Sequence, residues 1–361
     1  MKRSRARELG ITIGEMTTGK YNAITDVEGV GVGNSNIISG EGPLIPGRGP
    51  IRAGVTAIVP HQGNLYQNKV RAASYIFNAY GKSVGLSQLM QMGVIETPIL
   101  LTDTFNVWKV ADAMLDYIFE EMGIRVHSIN PIVGETNGGF LNDSYGRHVY
   151  KENVYEALNI ARSCRGLNAV DEGNVRGGTP MSGYGFKGGI GTPSRETSDF
   201  TLGVLVQLNL GRREDLLIDG VPVGRELADL RSDDCDGWGS IMVVVATDLD
   251  LTSRQLWKVA KRSILGIART GSYGRHGSGD FIIAFSTGKR EAKRIDGAPK
   301  LEEAYLNSVY RSVVEATEES VINALFKAET MVGRDYNTRQ AIPLERVEEI
   351  MLCENCGKRE H

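Results

Sequence analysis

Cysteine is scarce in this chain of 361 residues: Cys164, Cys235, Cys353 and Cys356 are too few and too scattered for a disulfide framework. Reduced thiols are expected. Charge of either sign is in little excess, 41 Lys and Arg against 44 Asp and Glu, which leaves net -3 and no global pull toward nucleic acid or an anionic membrane. Long apolar runs are missing too, for none approaches the ~18 residues of a spanning helix, and the opening MKRSRARELG lacks the apolar segment of a secretory signal. A cytoplasmic location is expected. Cys353-x-x-Cys356 with His361 supplies at most half of a zinc site, so neither metal nor cofactor is expected. Neither the P-loop nor the dinucleotide fingerprint is spelt in the glycine loops, which argues against nucleotide binding.

What the chain has in quantity is glycine, 44 residues gathered in clusters, and this points to tight turns and loops that carry function. The most telling cluster is GRHGSGDFIIAFS, from Gly274 to Ser286. It runs from a glycine loop into a buried strand over Phe281 to Phe285, with the small nucleophile Ser278 at the strand's start. Gly277 has no Cβ, so the peptide bond before Ser278 can take up angles that favour attack by the Ser278 hydroxyl on its own upstream carbonyl. A cut there makes Ser278 an N-terminal residue whose amine titrates near ~7.7 to 8.0, close enough to neutrality to serve as a base. A serine hydrolase of the G-x-S-x-G type is disfavoured, because that elbow leads from strand to helix, the reverse of the order here.

Elsewhere the patterning predicts strands over Tyr21–Asn36, Val55–Pro60, Ile99–Thr102, Thr201–Leu210 and Ser240–Thr247. Helices are predicted over Gly85–Met92, Trp108–Met122, Val154–Cys164 and Leu301–Ala328, and another capped by Thr252. Asn337–Met351 reads as a weaker final segment, Arg212–Asp233 as hairpin-like, and Lys289–Lys300 as a solvated loop. Gln207 and Asn209 sit inside an otherwise apolar strand, where polar side chains need a partner or a task. One layered α/β domain over 1–361 is preferred to two.

Taken together, YNAITDVEGVGVGN, GPIRAGVTAIVP, ETPILLTDT, GETNGGFLND, GFKGGIGTPSR, NLGRREDLLIDGVPVG, TGSYGRHGSGDFIIAFST and ATEESVINAL resemble the family of L-aminopeptidase/D-amidase-esterase and the β-aminopeptidases. The resemblance runs from about Tyr21 to Leu325. It implies a four-layer αββα sandwich of the ornithine acetyltransferase-like type, related in architecture to N-terminal nucleophile hydrolases. It further implies self-cleavage at Gly277–Ser278 into 1–277 and 278–361, an acyl-enzyme on Ser278, short peptide, amide or ester substrates, and a homo-oligomer. The stretch 331–361 is left as an extension of unknown role.

Carried over residue by residue, the resemblance makes Ser278 the nucleophile and Asn209 the amide that holds the oxyanion. Glu135 receives the substrate's amine, with Asn137 beside it. Thr317 and Glu319 fall where the family has a hydroxyl residue and a glutamate near the nucleophile. Positions i and i+2 do not share a helix face, so the expectation is a helix that starts or breaks near Ala316, with Thr317 as its cap. His276 and Asn137 depart from the residues the family pattern leads one to expect. An acyltransferase of the ornithine acetyltransferase-like type and a non-cleaving glycine-rich binding protein stand as rival readings.

Overall fold

The computed structural model describes residues 2–164, 168–230, 239–290 and 303–357. Two sheets lie face to face. The first has the order β1 (Gly31–Ser39), β2 (Ile51–Val59), β5 (Ile99–Asp103), β6 (Ile132–Thr136). The second runs β7 (Ser194–Glu196), β8 (Thr201–Asn209), β9 (Ser240–Leu249), β10 (Gly279–Arg290), β3 (Val70–Ala79), β4 (Val94–Ile95), with Gly189–Gly191 added beside β8. Its pairings are antiparallel except β9 with β10, which run parallel from Ser240 opposite Gly279.

Helices α1 (Val107–Glu120) and α2 (Lys151–Cys164) cover the first sheet, while α3 (Ser253–Arg269) and α4 (Glu303–Phe326) cover the second. The expected αββα layering is what the chain forms. Sequence explains the helices locally. Val107, Val110, Ala111, Met114, Tyr117 and Ile118 put a single apolar face of α1 into the core. Thr252 caps α3 by accepting a hydrogen bond from the Gln255 amide, and the Gln255 side chain accepts one back from the Thr252 amide at 2.8 Å.

Alternation along β10 divides two cores. Phe281, Ile283 and Phe285 join the cluster between the sheets, whereas Ile282 and Ala284 face the α3 and α4 side. At Gly134 the sheets come so close that a Cβ would lie 2.3 Å from the Met242 Cε. Gln207 crosses the same gap, donating to the Thr102 carbonyl at 2.9 Å and the Thr136 hydroxyl at 2.7 Å. Its polar side chain therefore ties sheet to sheet.

Three expectations are corrected or extended. The strand Val70–Ala79 was not foreseen, because Arg71 and the alanines at 72 and 73 blunt its apolar signal; it is nonetheless the direct neighbour of β10. No break occurs near Ala316: α4 runs unbroken for 24 residues with Thr317 in its middle. Residues after Met331 form a small hairpin and a helix α5 (Leu344–Gly357), with Ile342, Leu344, Val347 and Met351 buried against the α3 and α4 core. The segment Arg212–Asp233 turns through a bridge between Ile218 and Val221 into a short helix, and its last three residues lie outside the described ones. Nearly all of the predicted loop Lys289–Lys300, and His361, also lie outside them. No described helix is long and apolar enough to cross a membrane.

Candidate active site

The loop before β10 is held from several sides. The Ser278 amide donates to the Arg275 carbonyl at 2.9 Å, closing a turn over His276 and Gly277, and the Asn78 side chain on β3 donates to the carbonyls of Arg275 and His276. The Ser278 carbonyl accepts from the Tyr80 amide at 3.3 Å, and the Gly279 amide donates to the Gly239 carbonyl at 3.2 Å. Ser278 is thus fixed at the mouth of the β9–β10 pair. Its side chain is buried, and the hydroxyl donates to Asp280 at 2.5 Å. Asp280 precedes Ile282 by two on the strand, so both point toward α3, away from the space between the sheets.

A cavity of about 420 Å³ opens at this end of the sandwich, and Gly277, Asn209, Glu135 and Asn137 all line it. Asn209 ends β8; its oxygen accepts from the Ser182 amide at 2.9 Å and its nitrogen donates to the Asn137 carbonyl at 3.0 Å. The amide is therefore locked in one orientation. Glu135 rises from β6 with one oxygen accepting from the Lys82 amide at 3.0 Å and the Lys82 ammonium 3.9 Å away, while the other oxygen is buried without a hydrogen-bond partner among the described residues. Burial pushes its pKa above the ordinary carboxylate value, more strongly than Lys82 pulls it down. The exposed Asn137 turns its side-chain oxygen to the Gly139 amide at 2.9 Å. Beneath it, buried Asp103 accepts from the Gly138 amide and from Asn142 and Ser144, fixing the loop that forms this wall.

Thr317 and Glu319 are not brought to this cavity. The Thr317 hydroxyl donates back to the Val313 carbonyl at 2.7 Å, and the residue packs where α3 passes closest, since a Cβ on Gly266 would lie 2.7 Å from its own. Glu319 instead accepts from Arg195 at 2.8 Å, from Arg7 at 3.0 Å and from Asn22. The i and i+2 positions do face different ways, as helical geometry demands.

Other contributors were not singled out from sequence. Asp280 carried a readable signal, because i and i+2 share a strand face. Arg334 and Arg339, from the hairpin after Met331, line the cavity together with Tyr80, Phe105, Phe140 and Tyr145. Arg334 donates to the Gly139 carbonyl at 2.6 Å; Arg339 donates to the Ser182 hydroxyl at 3.1 Å and lies over the Phe140 ring. Nothing in their spacing relates Arg334 to a loop 195 positions upstream.

The αββα sandwich puts Gly277, the residue before the strand-leading serine, in the wall of a cavity with a buried carboxylate and a fixed amide, and the family the chain matches is one of hydrolases that act on peptide bonds. The chain belongs to peptidase family S58, whose profile matches residues 22–339. It is 38% identical to the β-peptidyl aminopeptidase of Sphingosinicella microcystinivorans over 361 aligned residues, spanning 94% of this chain and 89% of the relative. Among solved structures, the PH0078 protein from Pyrococcus horikoshii OT3 superposes with a TM-score of 0.89 at 46% identity, covering 98% of this chain and 99% of that one. The L-aminopeptidase D-Ala-esterase/amidase of Ochrobactrum anthropi, described as a prototype for the serine aminopeptidases and a variant of the Ntn hydrolase fold, does so with 0.85 at 38% identity, over 97% and 99%.

Proposed function

We propose that the chain cuts itself between Gly277 and Ser278 and then releases N-terminal amino acids from short peptides, amides or esters through an acyl-enzyme on Ser278. The observation that carries this reading is one cavity shared by the Gly277 end of the bond, the fixed amide of Asn209 and the half-satisfied carboxylate of Glu135. An ammonium group is costly to desolvate unless a charge meets it, and the open oxygen of Glu135 is that charge. Asn137 borders the same end. The Asn209 nitrogen keeps a second hydrogen for a tetrahedral oxygen, a contact worth roughly 2.7 to 4 kcal/mol in a preorganised site.

In the uncut chain the Ser278 hydroxyl faces Asp280. Cutting releases the residue from Gly277 and frees its side chain to turn toward the cavity, with its own new amine as the base. Thr317 and Glu319 take a supporting part in this scheme, holding α4 in place through the bonds described. Arg334 and Arg339 give the cavity a cationic side, which suits the carboxylate end of a short peptide.

Intact mass of the purified protein, alongside its hydrolysis of an amino-acid amide, tests the proposal. Two pieces that end at Gly277 and begin at Ser278 are expected, and Ser278→Ala is expected to give one uncut, inactive chain. A single full-length species with full amidase activity would overturn it.

A further inference from the structure

We propose that Asp280 is the proton acceptor for self-cleavage; this rests on the self-cleavage reading above and names the group that starts it. The Ser278 hydroxyl donates to Asp280 at 2.5 Å, and among the described residues no other hydrogen bond engages that hydroxyl. The second Asp280 oxygen is buried without a hydrogen-bond partner among the same residues. This carboxylate therefore has no structural duty beyond the serine, which is unusual for a buried acid in a strand.

Among the described residues, the elements around it supply no competing charge. Phe77 of β3, Ile264, Ile267 and Ala268 of α3, and Ser272 and Tyr273 of the loop enclose the adjoining space, and Tyr273 is the one titratable group among these. In the same loop Arg275 pairs with Asp215 at 3.2 Å, and the Asn78 side chain is taken up by the carbonyls of Arg275 and His276. Burial holds the Asp280 carboxyl up to about 6, high enough to accept a proton and still largely ionised at neutral pH.

The step balances with water as the only co-reactant. The Ser278 oxygen bonds to the Gly277 carbonyl carbon as its proton passes to Asp280. The carbon–nitrogen bond between Gly277 and Ser278 then breaks, and the same proton goes to the departing Ser278 nitrogen. Water hydrolyses the resulting ester, leaving a Gly277 carboxylate and a Ser278 with free hydroxyl and amine.

To test this, wild type, Asp280→Asn and Ser278→Ala are made by cell-free synthesis, moved to buffers from about pH 5 to 8, and followed by intact mass. The Asp280→Asn change keeps the size and an acceptor oxygen but cannot take the proton, so cleavage is expected to slow by about a hundredfold or more. Wild-type cleavage is expected to accelerate with pH and level off above about 6, the value at which the carboxyl loses its proton. Cleavage of the asparagine variant at the wild-type rate would overturn the assignment of Asp280 while leaving self-cleavage standing. If the variant does not fold, the wild-type profile decides alone, and a rate flat across that range overturns it. A wild-type chain that never cuts removes the underlying reading, and this proposal with it.

Discussion

Glu135 holds a carboxylate where water barely reaches, with one oxygen answered by Lys82 and the other left open. Replacing it by Gln is expected to lower kcat/KM for free-amine substrates about ten- to a hundredfold, the worth of one charge-assisted bond of ~1.5–3 kcal/mol. N-acetylated substrates, poor to begin with, should change little. Since burial raises the Glu135 pKa, the carboxyl takes up a proton at a higher pH than an ordinary glutamate, and KM in the wild type is expected to climb as pH falls through that value. The Gln variant should lose this acid limb in a KM profile. Ser278 and Asn209 stood out in the sequence because each interrupts its surroundings, a nucleophile after a glycine loop and an amide in an apolar strand, whereas Glu135, on the short strand β6, was reached through the family resemblance. Arg334 and Arg339 were not legible, because folding alone brings a late hairpin to an early loop.

At the scale of elements, α4 shows what local pattern could not tell. Its second half is buried throughout, yet includes Thr317, Glu318, Glu319, Ser320 and Asn323. Each has its own partner: Thr317 and Ser320 donate to carbonyls of the helix, Glu318 pairs with Arg269 at 3.0 Å, Asn323 accepts from the Ala6 amide at 3.1 Å, and fully buried Arg195 at β7 donates to Glu319 at 2.8 Å, to Glu315 at 3.2 Å and to the carbonyls of Ser194 and Ile13 at 2.8 Å. A buried ion network is weak evidence of net stability, but removing one member leaves the others' charges stranded. Arg195→Met is thus expected to destabilise the protein by about 3–5 kcal/mol, read from urea unfolding. The charges that make α4 look like a surface helix are core contacts instead. By contrast β9, β10 and α1 could be read directly, because each meets mainly apolar neighbours and so follows its own periodicity.

For the whole molecule, layering follows from many short motifs in one order, whereas the partition of two cores depends on pairing register that no linear pattern records. Strand β10 has β9 on one side and β3 on the other, both from the stretch before Ser278. A cut at Gly277–Ser278 would break no ladder. The 84 residues from Ser278 to His361 are therefore expected to co-purify with 1–277 under native conditions, and calorimetry should show the two pieces melting in a single transition. Elution of the smaller piece alone in plain buffer would contradict this.

The hairpin that carries Arg334 and Arg339 gives the cavity a divided ownership. Glu135, Asn137 and Asn209 stand upstream of Gly277, while both arginines stand downstream. The cavity is a seam, and neither half of the chain holds enough of its wall to bind anything by itself. Were the chain cut at Gly277–Ser278, the smallest unit to hold every wall of the cavity would be the two pieces together.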